Sequence, residues 1–375
     1  MITKAQAGRL RSLRASSPSV LSVYLRVPLD LADHRGLATR ARELLKSAAD
    51  AAPGTVQLRG ADIERVGRAI AEHAHDWLGR TAAMFACAEL GLFDAELLPG
   101  DLPERAVIGT RPYLRPLLSA LQRNPAYRAA IIDTRHAWIF AIADDSIDTL
   151  AERTGPGVPS QGFSGWYGLE AHRIQQRIMH LARQHFRDTI TMLERTTDSD
   201  KRPLVIGGHE SEVHQFLSRL PRGVRNSVAG TFNVDIRTVT PARVRELAAP
   251  VIARWAENSE TQLVADVLSQ QQDTSVTTDL AGCLAAIKSR AVGHLIVPDE
   301  LTIPGFACDA CGALTAGQDD CDCPDPPAAC RPVPDLLDEL TNRVLDEGGR
   351  VTHVRNAPFE VAAQLRFPVT ITAAR

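Results

Sequence analysis

The stretch Tyr127-Arg128-Ala129-Ala130-Ile131-Ile132-Asp133, then Thr134-Arg135-His136, then Ala137-Trp138-Ile139-Phe140-Ala141-Ile142 decides how the rest of the chain is read. Two apolar runs flank a three-residue turn, which is the pattern of a β-hairpin. Ile147 to Leu150 offers a third strand. Thr154 to Gly168 follows, rich in Gly, Pro and Ser and without an apolar period. A loop of that length inside a compact domain is uncommon and usually functional. It feeds a helix from Leu169 to about Arg195, in which Ile174, Ile178, Leu181, Phe186, Ile190 and Leu193 recur at the spacing of one buried face. Leu204-Val205-Ile206 is a strand, Gly207-Gly208 its turn, and Ser211 to Leu220 a helix. A strand near Val228 to Val234 and a helix from Pro241 to near Trp255 complete the segment. Strands alternating with helices predict an open α/β sheet covered by helices.

On the N-terminal side the strand Ser19 to Val27 precedes helices over Leu37–Ala51 and Ala61–Leu78, separated by Pro53-Gly54. Ala82–Leu90 and Ala106–Ile108 read as strands, and Gly109–Pro116, with two prolines, as a connector. On the C-terminal side helices over Glu260–Gln271 and Thr278–Ser289 lead to the strand His294–Val297. A cysteine-rich insertion, the helix Pro334–Gly348, the strand Arg350–Val354 and the closing stretch Ala362–Val369 follow. The expected architecture is therefore α/β in three domains. These are an N-terminal α/β domain at 1–124, a central α/β domain at 125–256 with a tip loop at 154–168, and a C-terminal α/β/α sandwich at 257–375 with a Cys-rich insertion at 306–331.

A chain of 375 residues is too long for one ordinary core. No apolar run approaches the ~20 residues of a bilayer span, and Val20–Val27 alternates like a strand, so no membrane role is expected and the chain is placed in the cytoplasm. The net charge of −3 hides an asymmetry. From Glu257 onward there are 8 Lys+Arg against 18 Asp+Glu, leaving 34 basic and 27 acidic residues before it. That split suits an earlier part facing a polyanion, although chance variation in solvated charge accounts for the acidic tail equally well.

Of seven cysteines, Cys87 and Cys283 lie in Ala-rich surroundings read as helical and are expected to be small buried side chains. The other five cluster, and in a reducing compartment clustered thiols read as metal ligands. Cys308-Asp309-Ala310-Cys311-Gly312 is a tight turn in which two thiolates grip one ion, and a structural zinc needs four soft ligands. Cys308, Cys311 and Cys321 are expected ligands, with either Cys323 or Cys330 as the fourth. The irregular second half also fits a knuckle that has lost its metal.

The second signal lies on the helix after the loop. Arg173, Arg177, His180, Gln184 and Arg187 stand four, three, four and three apart, forming one stripe opposite the apolar face. A row of guanidiniums on a rigid rod suits nucleic-acid phosphates. Just before it, Trp166 and Tyr167 sit between glycines at the loop's tip, where they could stack on exposed bases. An ordinary solvated helix face explains the stripe taken alone. Catalytic patterns are absent: there is no G-x-S-x-G, no phosphate-loop motif and no H-E-x-x-H. Gly207-Gly208-His209 is better read as a turn and helix start than as a ligand loop.

The order of these segments resembles the archaeal and eukaryotic class-1 peptide-chain release factor and Pelota family, specifically its bacterial branch. The hairpin, loop and helix of 127–195 look like that family's ribonuclease-H-like central domain. The last segment, with its insertion after His294–Val297 and its closing Leu365-Arg366-Phe367-Pro368-Val369, looks like the third domain. The resemblance implies a ribosome-associated translation factor that occupies the A site and contacts ribosomal RNA, with a translational GTPase as a further partner. The tip departs from the family. It reads Gln161-Gly162-Phe163-Ser164-Gly165-Trp166-Tyr167-Gly168, without Gly-Gly-Gln, and Ala51–Gly60 carries no Asn-Ile-Lys-Ser. Neither codon reading nor peptidyl-tRNA hydrolysis is therefore expected, which suits hibernation or rescue. The competing readings are release activity through a non-standard tip, a nuclease of the ribonuclease-H-like fold, for which only Asp133 is well placed, and an interaction scaffold outside translation.

Overall fold

The computed structural model describes residues 4–30, 36–51, 60–98, 102–143, 146–155, 169–196, 202–236, 239–318, 321, 323 and 330–369. It is a mixed α/β protein with four sheets, divided into two compact units: residues 1–122 with 260–375, and residues 123–259.

In the larger unit, α1 (Lys4–Ser12), β1 (Val20–Arg26), α2 (Leu37–Ala51) and α3 (Gly60–His73) precede β2 (Thr81–Cys87), β3 (Leu92–Leu98), β4 (Arg105–Gly109) and α4 (Arg115–Arg123). The strands form an antiparallel sheet in the order β3-β2-β1-β4. Alternation along β1 explains why it is central. Leu21, Val23 and Leu25 face the core under α2 and α3, while Val20 and Tyr24 face the opposite core. Buried Ser22, on the Tyr24 side, accepts a hydrogen bond from the Tyr113 backbone N–H at 2.9 Å, so its hydroxyl is not left unsatisfied.

The smaller unit contains β5 (Tyr127–Ile132), β6 (His136–Ala143), β7 (Ser146–Thr154), α5 (Leu169–Arg195), β8 (Leu204–Gly208), α6 (Glu210–Leu217), α7 (Arg222–Arg225) and β9 (Val228–Asn233). The first turns of α8 (Pro241–Ser269) complete it. The sheet order is β7-β6-β5-β8-β9, an antiparallel meander continued by two strands parallel to β5. This is the open α/β sheet, covered by helices, expected from the sequence. Phe186, Ile190 and Leu193 of α5 cover one face with Val213 and Phe216; Val244, Ala248 and Ile252 of α8 cover the other. The Gly207-Gly208 pair is a packing device. A Cβ on Gly207 would lie 2.5 Å from the Phe232 ring, and one on Gly208 2.3 Å from the Ile132 carbonyl oxygen.

The C-terminal segment of the larger unit holds β10 (Val276–Thr277), α9 (Leu280–Lys288), β11 (Val292–Pro298), β12 (Gly305–Cys308) and β13 (Leu314–Thr315). These are followed by β14 (Cys330–Val333), α10 (Leu336–Asp346), β15 (Arg350–Val354) and β16 (Ala362–Leu365). A sheet ordered β10-β16-β11-β15 is covered by α9 and α10 on one face and by Leu263, Val264 and Val267 at the end of α8 on the other. The small sheet β13-β12-β14 carries the cysteines.

Four expectations change. The helices predicted to end near Trp255 and to start at Glu260 are one helix, α8, running through Pro250 and the polar Glu257–Glu260 stretch. Gly109–Pro116 is not wholly a connector: α4 begins at Arg115, with Pro116 in its first turn, where a missing N–H costs nothing. Leu92–Leu98 is a strand whose polar exposed face hid it from an apolar count. Cys87 is buried, but it ends the strand β2 rather than lying in a helix, whereas Cys283 lies in α9. Among the described residues no helix is long and apolar enough to cross a membrane.

Candidate nucleic-acid interface and metal centre

From Gln176 onward, α5 divides between two environments. Phe186 packs edge-on against Phe216, with ring centroids 5.5 Å apart, and Leu193 is fully buried. On the other side Arg177, His180, Gln184 and Arg187 are exposed, and neither Arg177 nor Arg187 meets a carboxylate among the described residues. Arg183 joins them, three residues after His180 and four before Arg187. The sequence reading missed it because it stands at the edge of the strict stripe. Asp188, the one acidic residue in the middle of the helix, is paired with Arg153 of β7 and neutralised there. The exposed face thus presents cations free to meet an external anion. Trp166 and Tyr167 lie outside the described residues, as does the side chain of Arg173.

The helix is fixed where the chain leaves β7. Gly155 N–H donates to the Arg135 carbonyl at 2.5 Å, and a Cβ at Gly155 would stand 3.2 Å from Nδ1 of His185. His185 is buried, and burial lowers its pKa, so the ring is held neutral. Asp133 is used by the hairpin turn: it accepts from the backbone N–H groups of Arg135 and His136, each at 2.5 Å. A carboxylate occupied in this way fits a turn cap better than a nuclease centre.

The cysteine region converges. The Sγ atoms of Cys308, Cys311, Cys321 and Cys323 all lie within 4.8 Å of one another, and those of Cys311 and Cys321 are 3.5 Å apart. Cys330 faces Cys308 across the β12–β14 ladder. The tight turn forms as its sequence dictates: Gly312 takes φ +71°, and its N–H donates to the Cys308 carbonyl at 2.8 Å. The backbone N–H of Cys311, supplemented by that of Ala310, draws the Cys308 thiol down to about 6. Four soft ligands around one point, one of them already inclined to be a thiolate, fit a bound metal ion. Such an ion would hold β12 and the turn after it together, a structural role for a shell filled by the protein.

Residues 112–268, which include the whole of α5 and its sheet, match the family described as Bacterial archaeo-eukaryotic release factor family 10. Among solved structures, the chain is similar to the archaeal translation termination factor aRF1, at 14% identity over 98% of this chain and 99% of that one, with a TM-score of 0.27. Pelota of Archaeoglobus fulgidus is 15% identical over 78% and 81% of the two chains, with a TM-score of 0.36. Dom34 of S. cerevisiae is 9% identical over 80% and 83%, with a TM-score of 0.42. No curated protein matches the chain in sequence.

Proposed function

We propose that this protein is a ribosome-associated translation factor that occupies the A site in hibernation or rescue, without reading a codon and without hydrolysing peptidyl-tRNA. The observation that carries this reading is the cationic face of α5, unpaired with the protein's own carboxylates, in a segment that matches a release-factor family. In this reading Arg173, Arg177, His180 and Arg187, with Arg183 added, lie along ribosomal RNA, and Trp166 and Tyr167 at the tip stack on its bases. The absence of Gly-Gly-Gln from 161–168 supports binding without hydrolysis. The segments 1–124, 125–256 and 257–375 act as three functional parts, and a translational GTPase is the expected protein partner. Zinc is the metal proposed for Cys308, Cys311, Cys321 and Cys323.

Co-sedimentation with 70S particles is the test. The protein should pellet with ribosomes at low salt and be released steeply as salt rises, because each phosphate contact takes up counterions on dissociation. Arg177→Glu with Arg187→Glu should abolish pelleting, and undiminished pelleting would sink the assignment of α5. A purified-component release assay should show no liberated peptide. For the knuckle, native mass spectrometry should find one zinc per chain, lost in Cys308→Ser; a metal-free wild-type protein would remove zinc from the proposal.

A further inference from the structure

Beside the knuckle, within the larger unit, lies a cleft of about 570 Å³ lined by five arginines, Arg14, Arg111, Arg290, Arg331 and Arg343, and by four carboxylates that offset part of their charge. Three of the arginines come from a segment with only 8 basic residues against 18 acidic ones, so their convergence runs against the local composition. Two are committed to structure. Arg343 donates to the Gly312 carbonyl at 2.5 Å, and Arg331 meets Asp309 at 3.1 Å and Glu339 at 3.6 Å. Arg111 shares Asp346 with Arg11, each at 3.5 Å, so one carboxylate serves two guanidiniums. Arg14 is exposed and has no partner among the described residues.

Arg290 adds an independent observation. It follows α9 at the position where helices usually end on glycine: its N–H donates to the Ile287 carbonyl, and that of Ala291 to Ala286, both at 2.9 Å. Its φ is +54°, and it is the only non-glycine residue with positive φ among those described. Glycine would take this conformation without strain, whereas arginine does so at a cost. The side chain thus held is 83% exposed and meets Glu347 only at 3.9 Å. Within the fold its charge serves only that one long contact among the described residues. A strained residue kept for an exposed guanidinium points to a ligand.

We propose that Arg14, Arg111 and Arg290 form a phosphate-binding site, separate from α5. No aromatic side chain lines the cleft, so it would grip phosphate oxygens without reading bases. The same chemistry would serve an RNA backbone or a small phosphorylated ligand, and the two are separated by choice of probe. The site stands apart from the ribosome reading, since its arginines were not used there.

The test uses the full chain carrying Arg177→Glu and Arg187→Glu, so that α5 contributes nothing. Fluorescence anisotropy measures a short labelled oligouridylate, and calorimetry measures inorganic pyrophosphate. Adding Arg14→Ala and Arg290→Gly should weaken binding about tenfold and flatten the salt dependence of the oligonucleotide by about 1 to 2 in log–log slope. Loss confined to the oligonucleotide identifies an RNA backbone; loss confined to pyrophosphate identifies a small phosphorylated ligand. Because glycine relieves the strained turn, the melting temperature should hold or rise, which separates lost binding from lost folding. Unchanged affinity for both probes, or no binding of either before the cleft is altered, overturns the site. Ribosome pelleting by the Arg14→Ala, Arg290→Gly protein with α5 intact reports on the ribosome reading independently.

Discussion

Arg115 and Arg187 carry the same group into opposite surroundings. Arg115 is 2% exposed, in the unit formed by residues 1–122 and 260–375. It is ion-paired to Asp335, donates to the Leu301 carbonyl at 2.9 Å and to the Pro298 carbonyl at 2.5 Å, and shares Asp335 with the Tyr113 hydroxyl at 2.9 Å. Gln122 extends this junction by exchanging two hydrogen bonds with the backbone of His353. Arg187 stands in water on α5 with no carboxylate partner among the described residues. A buried guanidinium is costly unless paired, and Arg115 commits both terminal nitrogens to Asp335 and to the Leu301 and Pro298 carbonyls, so it holds two segments together. An exposed one adds little to stability, which leaves its charge available for binding. Position, not residue type, separates the fastener from the recognition group.

The contrast breaks most visibly at Arg115. Arg115→Met should cost about 3–5 kcal/mol of unfolding free energy in a denaturant titration, because Asp335 is left buried and unpaired. Arg115→Met with Asp335→Asn should recover much of that loss, since asparagine can still accept the Leu337 N–H that caps α10. A loss under about 1 kcal/mol in the single variant would show that the buried pair does not fasten the segments.

Asp338 gives an intermediate effect. It accepts from the Leu114 N–H at 3.3 Å and from Asn342 at 3.0 Å, and burial, reinforced by Asp335, pushes its carboxyl up to about 8. An unfolded aspartate loses its proton near pH ~4. Between about pH 4 and 8 the unfolded chain releases a proton that the folded chain keeps, so this group's contribution to stability falls across that window. It levels off above the folded value. Asp338→Asn should flatten the corresponding slope of melting temperature against pH, and an unaltered slope would assign it to another group.

The smallest expected effect sharpens the comparison from the other side. Arg187→Ala should change stability by no more than about 0.5 kcal/mol, while weakening ribosome pelleting. A large stability loss there would make the α5 face structural.

Much of this architecture follows from local patterning. The period of two in Val20–Arg26 sorts side chains between two cores, the period of 3.6 along Leu169–Arg195 sorts a buried face from a wet one, and β1 and α5 appear at those places. The stripe Arg177, His180, Gln184 and Arg187 was legible for the same reason. Leu92–Leu98 was not, since its side chains are polar wherever the sheet is wet, and Arg115 looked like one more surface charge beside a proline. The sequence by itself therefore determined β1, the hairpin of β5 and β6, the cationic rod and the five-thiol cluster, because each depends on residues close together in the chain. The tertiary structure alone decided that Cys323 completes the four-thiol group, that Asp335 meets Arg115, and that Arg14, Arg111 and Arg290 share one cleft. Those pairings join residues up to hundreds of positions apart, and only the folded backbone sets the distances on which a charge or a thiolate acts.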